Sequence, residues 1–449
     1  MNYDERLSNV SILGAAGKMG SGILLLTAVE MADLSYKKEN SKLTFILNAI
    51  DVSDSALFGL LEYVRVQSRK IAEKKINVLR EFYSENQNLI YNHEIIDEYI
   101  HRILAIIRPS TLVESAYHSN VIFEAVNENP ELKIMLIKKI DANNNKNPWF
   151  FTNTSSVPIS YLNENANLDG RIIGFHFYNP PAIQKLVELI NGNDTITDLN
   201  LFALEYAKKL RKFVVNSNDI AGFIGNGHFM RDALLGIQLL NELKSEYGFP
   251  EAVYIVNKVS QDFLIRPMGI FQLVDYVGID VCKYIMEVMN PYFENEDIHS
   301  NLLDSLFERG VKGGQNSDGS QKDGILKYNK GKLIGIYDFY KEEYVDYETI
   351  SNKLSEIIGK LPSNYISWKE IIKMKDKDSL LKDYFENLNY DKSLGATVAK
   401  KYLKGTREIG LKLVEQNVAK TEKDVNDVML TGFFHCYGPI NNYLPLEEK

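Results

Sequence analysis

The 449-residue sequence predicts an α/β domain with a parallel sheet, followed by all-α domains. Three observations carry this reading. Residues 9 to about 217 alternate short apolar runs with helical patterns, as a sheet covered by helices on both faces requires. Glycines recur at three-residue intervals, Gly14, Gly17 and Gly20, between the first strand and the first helix. Beyond Asn218 the strand signals fade and helical periodicity takes over.

In chain order, strands are expected near 9–14, 43–51, 120–126, 148–153, 171–177 and 185–190. The stretch 35–41, Ser-Tyr-Lys-Lys-Glu-Asn-Ser, has no apolar period and reads as a polar insertion before the second strand. A long helix follows from Asp54 to about Tyr83, and another from about His93 to Ile107. The domain boundaries fall at 1–217 for the sheet domain, 218–310 for a helical domain, 311–392 for a linker and connector, and 393–449 for a second helical module. Residues 311–330 are rich in Gly, Asn, Asp, Ser and Lys, and a short apolar run follows at Leu333 to Tyr340. The module rests on an echo: Glu422-Lys-Asp-Val-Asn-Asp-Val-Met with Gly438-Pro439-Ile440 repeats Glu251-Ala-Val-Tyr-Ile-Val-Asn-Lys with Gly269-Ile270-Phe271.

Composition removes several function classes. A net charge of -9, from 60 acids against 51 bases, with no long basic run, argues against nucleic acid as a partner. Cys282 and Cys436 lack metal-knuckle spacing, so neither a metal site nor a disulfide framework is expected. The first residues, Met-Asn-Tyr-Asp-Glu-Arg, lack the basic start and apolar core of a signal peptide, and no stretch has the length of a spanning helix. A soluble, cytoplasmic protein is expected.

The glycine pattern points to a dinucleotide. In Val10-Ser-Ile-Leu-Gly14-Ala-Ala-Gly17-Lys18-Met19-Gly20 the glycines allow a tight turn, and backbone N–H groups can then approach a pyrophosphate at the positive end of the helix. Asp51 ends the second strand, where a carboxylate accepts hydrogen bonds from ribose hydroxyls and repels a 2'-phosphate. NAD is therefore expected over NADP, in a Rossmann-type domain.

A proton-handling pair lies further on. Arg171-Ile-Ile-Gly-Phe-His176-Phe-Tyr-Asn179 is a buried strand delivering His176 and Asn179 at its carboxyl end, where open parallel sheets bind ligands. An imidazole suits general-base work near neutral pH. In Lys185-Leu-Val-Glu188-Leu-Ile, alternation puts Glu188 on a face with Leu186 and Ile190, where an unpaired carboxylate would cost several kcal/mol. His176 would satisfy it and be oriented by it; the plainer alternative pairs Glu188 with Lys185 at the surface. Ser155, after the apolar Trp149-Phe-Phe strand, and Asn226, opening the helical domain, stand where they could contact a substrate oxygen or else cap helices.

Taken together, these motifs resemble the L-3-hydroxyacyl-CoA dehydrogenases. The pattern runs in order through Gly17-Lys-Met-Gly20-Ser-Gly22, Glu124-Ala-Val-Asn-Glu128-Asn129, Asn153-Thr-Ser-Ser156, His176-Phe-Tyr-Asn179-Pro180, Lys185-Leu-Val-Glu188, Ala221-Gly-Phe-Ile-Gly-Asn226 and Pro267-Met-Gly-Ile-Phe271 before Asp275-Tyr-Val-Gly278. The resemblance implies His176 as general base, Glu188 as its orienting carboxylate, and Ser155, Asn179 and Asn226 as substrate contacts. It implies Glu128, Lys133 and Asn153 near NAD, with Gly14, Gly17, Lys18, Met19, Gly20 and Asp51. It also implies that Ser68 and Lys75 touch the CoA moiety of an acyl-CoA held in a cleft between the domains. It allows a homodimer through the helical domain. One departure is plain: two residues, Ala15 and Ala16, separate the first two loop glycines where the family has one.

Two other readings fit parts of the sequence. One is a dehydrogenase of a free hydroxy or sugar acid in the same superfamily, against which His176-Phe-Tyr-Asn179 argues. The other is a nucleotide-binding protein without turnover, against which the joint presence of His176, Glu188, Ser155 and Asn226 argues.

Overall fold

Runs such as Ile46-Leu-Asn-Ala-Ile50 and Ile172-Ile-Gly-Phe-His-Phe177 are buried along almost their whole length, so they need cover on both sides. In the computed structural model, which describes residues 2–316 and 319–444, they belong to an eight-stranded sheet. The strands are β1 Asn9–Leu13, β2 Ile46–Ile50, β3 Ile107–Ser110, β4 Val121–Glu124, β5 Trp149–Thr152, β6 Ile172–Phe177, β7 Leu186–Ile190 and β8 Phe213–Ser217. Their order is β3-β2-β1-β4-β5-β6-β7-β8. The two strands that sequence reading missed, β3 and β8, are the two edges. Each is half exposed and carries polar residues, so neither shows the apolar run of a central strand.

The expected parallel pairing holds from β3 through β6, and β7 and β8 are parallel to each other. β6 and β7 are antiparallel, a correction with a simple cause. Only residues 178–185 join them, too few for a crossover helix. Alternation then sorts the two faces. Phe123, Phe151 and Phe175 pack on Phe202 and Tyr206 of the helix Thr197–Lys209. Glu124, Thr152, His176 and Glu188 fall on the opposite face, near the carboxyl ends of β4, β5 and β6.

The long helix expected from Asp54 breaks at Lys75, giving Asp54–Lys74 and Ile76–Phe82. The polar stretch after Ser35 forms a short 3-10 turn, Lys38–Asn40. It is anchored by Asn40, whose amide donates to Asp4 Oδ2 at 2.8 Å and to the Leu34 carbonyl at 3.0 Å.

The chain divides into compact units Met1–Asp219 and Ile220–Lys449. The second is built around the helices Phe223–Tyr247, Phe249–Lys258, Ile270–Val277, Leu394–Glu415 and Glu422–Gly432. It is not all helix. Within the stretch expected as linker and connector lies an antiparallel sheet of β9 Leu326–Asn329, β10 Lys332–Asp338 and β11 Glu343–Asp346. Lys330 and Gly331, both at positive φ, make the two-residue turn that joins β9 to β10; Gly and Lys there signal a hairpin as readily as a linker. Buried Asp275 ties this segment to the helix Ile270–Val277. Its carboxylate accepts from the Ile325 and Leu326 N–H groups at 2.7 and 2.8 Å and from the Tyr328 hydroxyl at 3.1 Å.

The sequence echo has a structural counterpart. The spacing Asn-x11-Gly occurs at Asn257 and Gly269 and again at Asn426 and Gly438. In each, the residue four before the glycine is left-handed: Ile265 at φ 48 and Phe434 at φ 56. In each, the Asn side-chain oxygen accepts a backbone N–H just after the glycine, from Gln272 at 3.1 Å and Ile440 at 3.0 Å. Residues 445–449 of the expected module lie outside the described residues.

Candidate active site

Gly14 leaves β1 at φ +73, and a Cβ there would meet the Ala125 carbonyl at 2.5 Å. Gly20 passes still closer, since its Cβ would lie 2.0 Å from the Gly14 carbonyl oxygen. These two positions therefore require glycine. The extra residue is accommodated by the second strand: the Gly14 and Ala15 N–H groups donate to the Ile50 carbonyl, and Ala16 donates to Asp51 Oδ2 at 3.0 Å. Gly17, the N-cap of the helix Lys18–Ser35, has no side chain to cap the first turn, which begins at Lys18 and Met19. A cradle closed to side chains, a helix N-terminus and a neighbouring carboxylate fit a dinucleotide.

Next to the loop lies a buried ion cluster. Lys133 Nζ stands 2.7 Å from Glu124 Oε1 and 3.1 Å from Glu128 Oε2. Burial would draw the Lys133 ammonium down, but the two carboxylates outweigh it and push it up to about 12. Burial would likewise raise Glu128; the Lys133 charge and hydrogen bonds from Thr154 and Ser155 instead hold it below the usual carboxylate range. Glu128 Oε1 gathers the N–H of Ser155 at 2.7 Å, the N–H of Ser156 at 3.1 Å and the hydroxyls of Thr154 and Ser156. Glu128 thus sets the turn that presents Ser155. Asn153 braces the same turn, accepting from the Phe177 N–H at 2.9 Å.

The antiparallel register puts His176 directly opposite Glu188. Glu188 is 0 % exposed, and its Oε2 lies 3.0 Å from His176 Nδ1. Surface pairing with Lys185 is thereby ruled out as the account of Glu188. The Tyr178 hydroxyl donates to the same Oε2 at 3.1 Å. A carboxylate on Nδ1 fixes the ring so that Nε2 is its acceptor nitrogen.

Other expected residues are placed as follows. Asn179 is half-buried just past β6, and Asn226, also half-buried, lies in the first turn of the helix Phe223–Tyr247. Ser68 is 0 % exposed, and the Lys75 ammonium is engaged by Asp33 and by Tyr99 Oη. Both turn inward. The sequence held the signal: Ser68 continues the stripe Leu57, Leu60, Val64 and Ala72 at helical spacing. Gln67, Lys70 and Lys74 occupy the more exposed face. Sequence reasoning also missed Tyr178, although its two-residue offset from His176 on an extended chain was visible. It missed the hub role of Glu128, which no local pattern reveals.

Comparison with known proteins bears on the family and the fold. The model of the 3-hydroxyacyl-CoA dehydrogenase NAD binding domain matches residues 53–220, starting just after the second strand, and that of the C-terminal domain matches 250–323. A probable 3-hydroxybutyryl-CoA dehydrogenase of Bacillus subtilis is 30% identical over 296 residues, covering 66% of this chain and 87% of its own. The mitochondrial hydroxyacyl-coenzyme A dehydrogenase of Sus scrofa is 28% identical over 304 residues, covering 66% and 86%. The crystal structure of 3-hydroxybutyryl-CoA dehydrogenase from Escherichia coli shares the fold, with a TM-score of 0.64 and 18% identity over 97% of this chain and 90% of that one. From its ordered motifs and these matches, the chain belongs to the 3-hydroxyacyl-CoA dehydrogenase family.

Proposed function

We propose that the protein interconverts L-3-hydroxyacyl-CoA and 3-oxoacyl-CoA with NAD, as a step of fatty-acid or short-chain acyl-CoA metabolism. The observation that carries this is the 3.0 Å contact between His176 Nδ1 and the buried Glu188 carboxylate, which supports His176 Nε2 as the base. NAD, when bound, supplies the acceptor for the hydride of the carbinol carbon. Gly14, Gly17, Gly20, Lys18 and Met19 would hold its pyrophosphate, and Asp51 its ribose. His176 takes the 3-hydroxyl proton as the C–H electron pair leaves, and Glu188 stabilises the imidazolium that forms. In the reverse direction the imidazolium returns that proton to the carbonyl oxygen.

Ser155, set by Glu128, together with Asn179 and Asn226, is assigned to substrate oxygens. Because Ser68 is buried and the Lys75 ammonium is engaged by Asp33 and Tyr99, the CoA end is assigned to the face of the Asp54–Lys74 helix that bears Gln67, Lys70 and Lys74. Cys282 and Cys436 are buried free thiols, which suits the cytoplasm as the place of action. Homodimerisation through residues 218–310 is part of the same proposal, and light scattering tests it. Among the described residues no helix is long and apolar enough to cross a membrane.

Steady-state NADH formation from 3-hydroxybutyryl-CoA and longer homologues is the decisive experiment. His176→Ala is expected to lose ~10^2 to 10^4 in rate. No turnover with any acyl length, or full activity in His176→Ala, would overturn the proposal.

A further inference from the structure

A carboxylate that only oriented an imidazole would need a single donor. Glu188 Oε2 accepts from His176 Nδ1 at 3.0 Å and also from the Tyr178 hydroxyl at 3.1 Å. His176 and Tyr178 are two residues apart where β6 runs out, so both reach the face that carries Glu188, and their rings lie 4.9 Å apart. We propose that Tyr178 is a positioning residue of the proton-transfer pair, its hydroxyl sharing Glu188 Oε2 and so setting how firmly the carboxylate holds the protonated His176 ring. This rests on His176 being the base.

The chemistry follows from charge sharing. A hydrogen bond to an ionised oxygen is among the stronger kinds, and two donors on one oxygen divide its charge between them. The Tyr178 hydroxyl keeps its proton, because burial and then the Glu188 charge push its acidity well away from the working range. It therefore remains a donor and takes no part in the transfer itself. When the substrate proton arrives on Nε2, the imidazolium draws on an oxygen already partly neutralised. The ring then yields its proton more readily, as a reversible oxidoreductase requires, since one group must act as base and as acid.

Other charged groups border this face. Glu124 and Glu128 are matched by Lys133, and Asp219 accepts from the Ile159 and Ser160 N–H groups. On β8 the residue beside Glu188 is Val215, which brings no charge. Tyr178, through its hydrogen bond to Glu188 Oε2, is placed to modulate the pair directly.

The test is Tyr178→Phe, which keeps the ring and removes only the hydroxyl. With the second donor gone, Glu188 holds the imidazolium more strongly. The pH at which kcat/KM for oxidation reaches half its maximum should move upward by about half a unit. In 15N-histidine-labelled protein without substrate, the Nδ1–H resonance of His176 should move downfield. A profile whose midpoint stays put, whether at full rate or with a uniform loss across pH, together with an unchanged Nδ1–H resonance, would overturn the inference. That failure differs from failure of the base assignment itself, which would appear as activity retained in His176→Ala.

Discussion

Replacing Glu188 by Gln removes a charge while preserving shape. The carboxylate is fully buried, so water cannot replace it, and the amide oxygen can still accept from His176 Nδ1. What is lost is the attraction between carboxylate and imidazolium in the transition state. With charge centres about 4 Å apart and an effective dielectric of about 20, that attraction is about 4 kcal/mol. At about 1.4 kcal/mol per decade this corresponds to roughly 10^3 in rate. The loss should appear in kcat and kcat/KM alike, because the charge interaction exists only once the ring is protonated. KM for NAD should be unchanged. Initial rates of NADH formation at saturating substrate, with circular dichroism to verify the fold, measure the effect. A Glu188→Gln enzyme within about threefold of the parent kcat would refute the claim that this carboxylate stabilises the imidazolium.

Two further outcomes concern the Asp275 anchor and the Asp54–Lys74 helix. Burial, opposed by hydrogen bonds from Leu326, Ile325 and Tyr328, pushes the Asp275 carboxyl up from 3.8 to about 7. An acid raised on folding contributes stability below its unfolded value, and the contribution disappears as pH rises through the folded one. The stability margin of the parent over Asp275→Asn should therefore shrink between about pH 4 and about pH 7 in urea melts, and a margin constant over that window would refute the linkage. Lys75→Ala, which breaks a partly exposed pair with Asp33, should lower stability by about 1 kcal/mol and leave KM for the acyl-CoA unchanged. Lys74→Ala should do the reverse, raising KM several-fold without changing the melting temperature. An exchange of these two phenotypes would place the CoA on the Lys75 side and refute the assignment to the Lys74 face.

The central strands were readable because burial on both faces demands near-continuous apolar runs, whereas β3 and β8, half exposed at the edges, carry no such run. The loop glycines and Asp51 were readable because steric exclusion and ribose chemistry constrain residue type locally. Ser68 and Lys75 show the limit of spacing. A heptad places two residues on one face without saying which; Ser68 falls in the buried stripe of Leu60, Val64 and Ala72, and the Lys75 ammonium meets Asp33 and Tyr99.

His176 and Glu188 mark the division most clearly. The sequence by itself determined that a basic ring sits on a buried strand and that a carboxylate on another buried strand needs a partner. Only the tertiary structure decided that they are partners, because the antiparallel register of β6 and β7 is a long-range pairing that local periodicity does not specify. The same register brought Tyr178 to the shared oxygen. The gathering of Thr154, Ser155 and Ser156 on Glu128 was likewise a tertiary decision, made by neighbouring strand ends and by the need to satisfy buried charge.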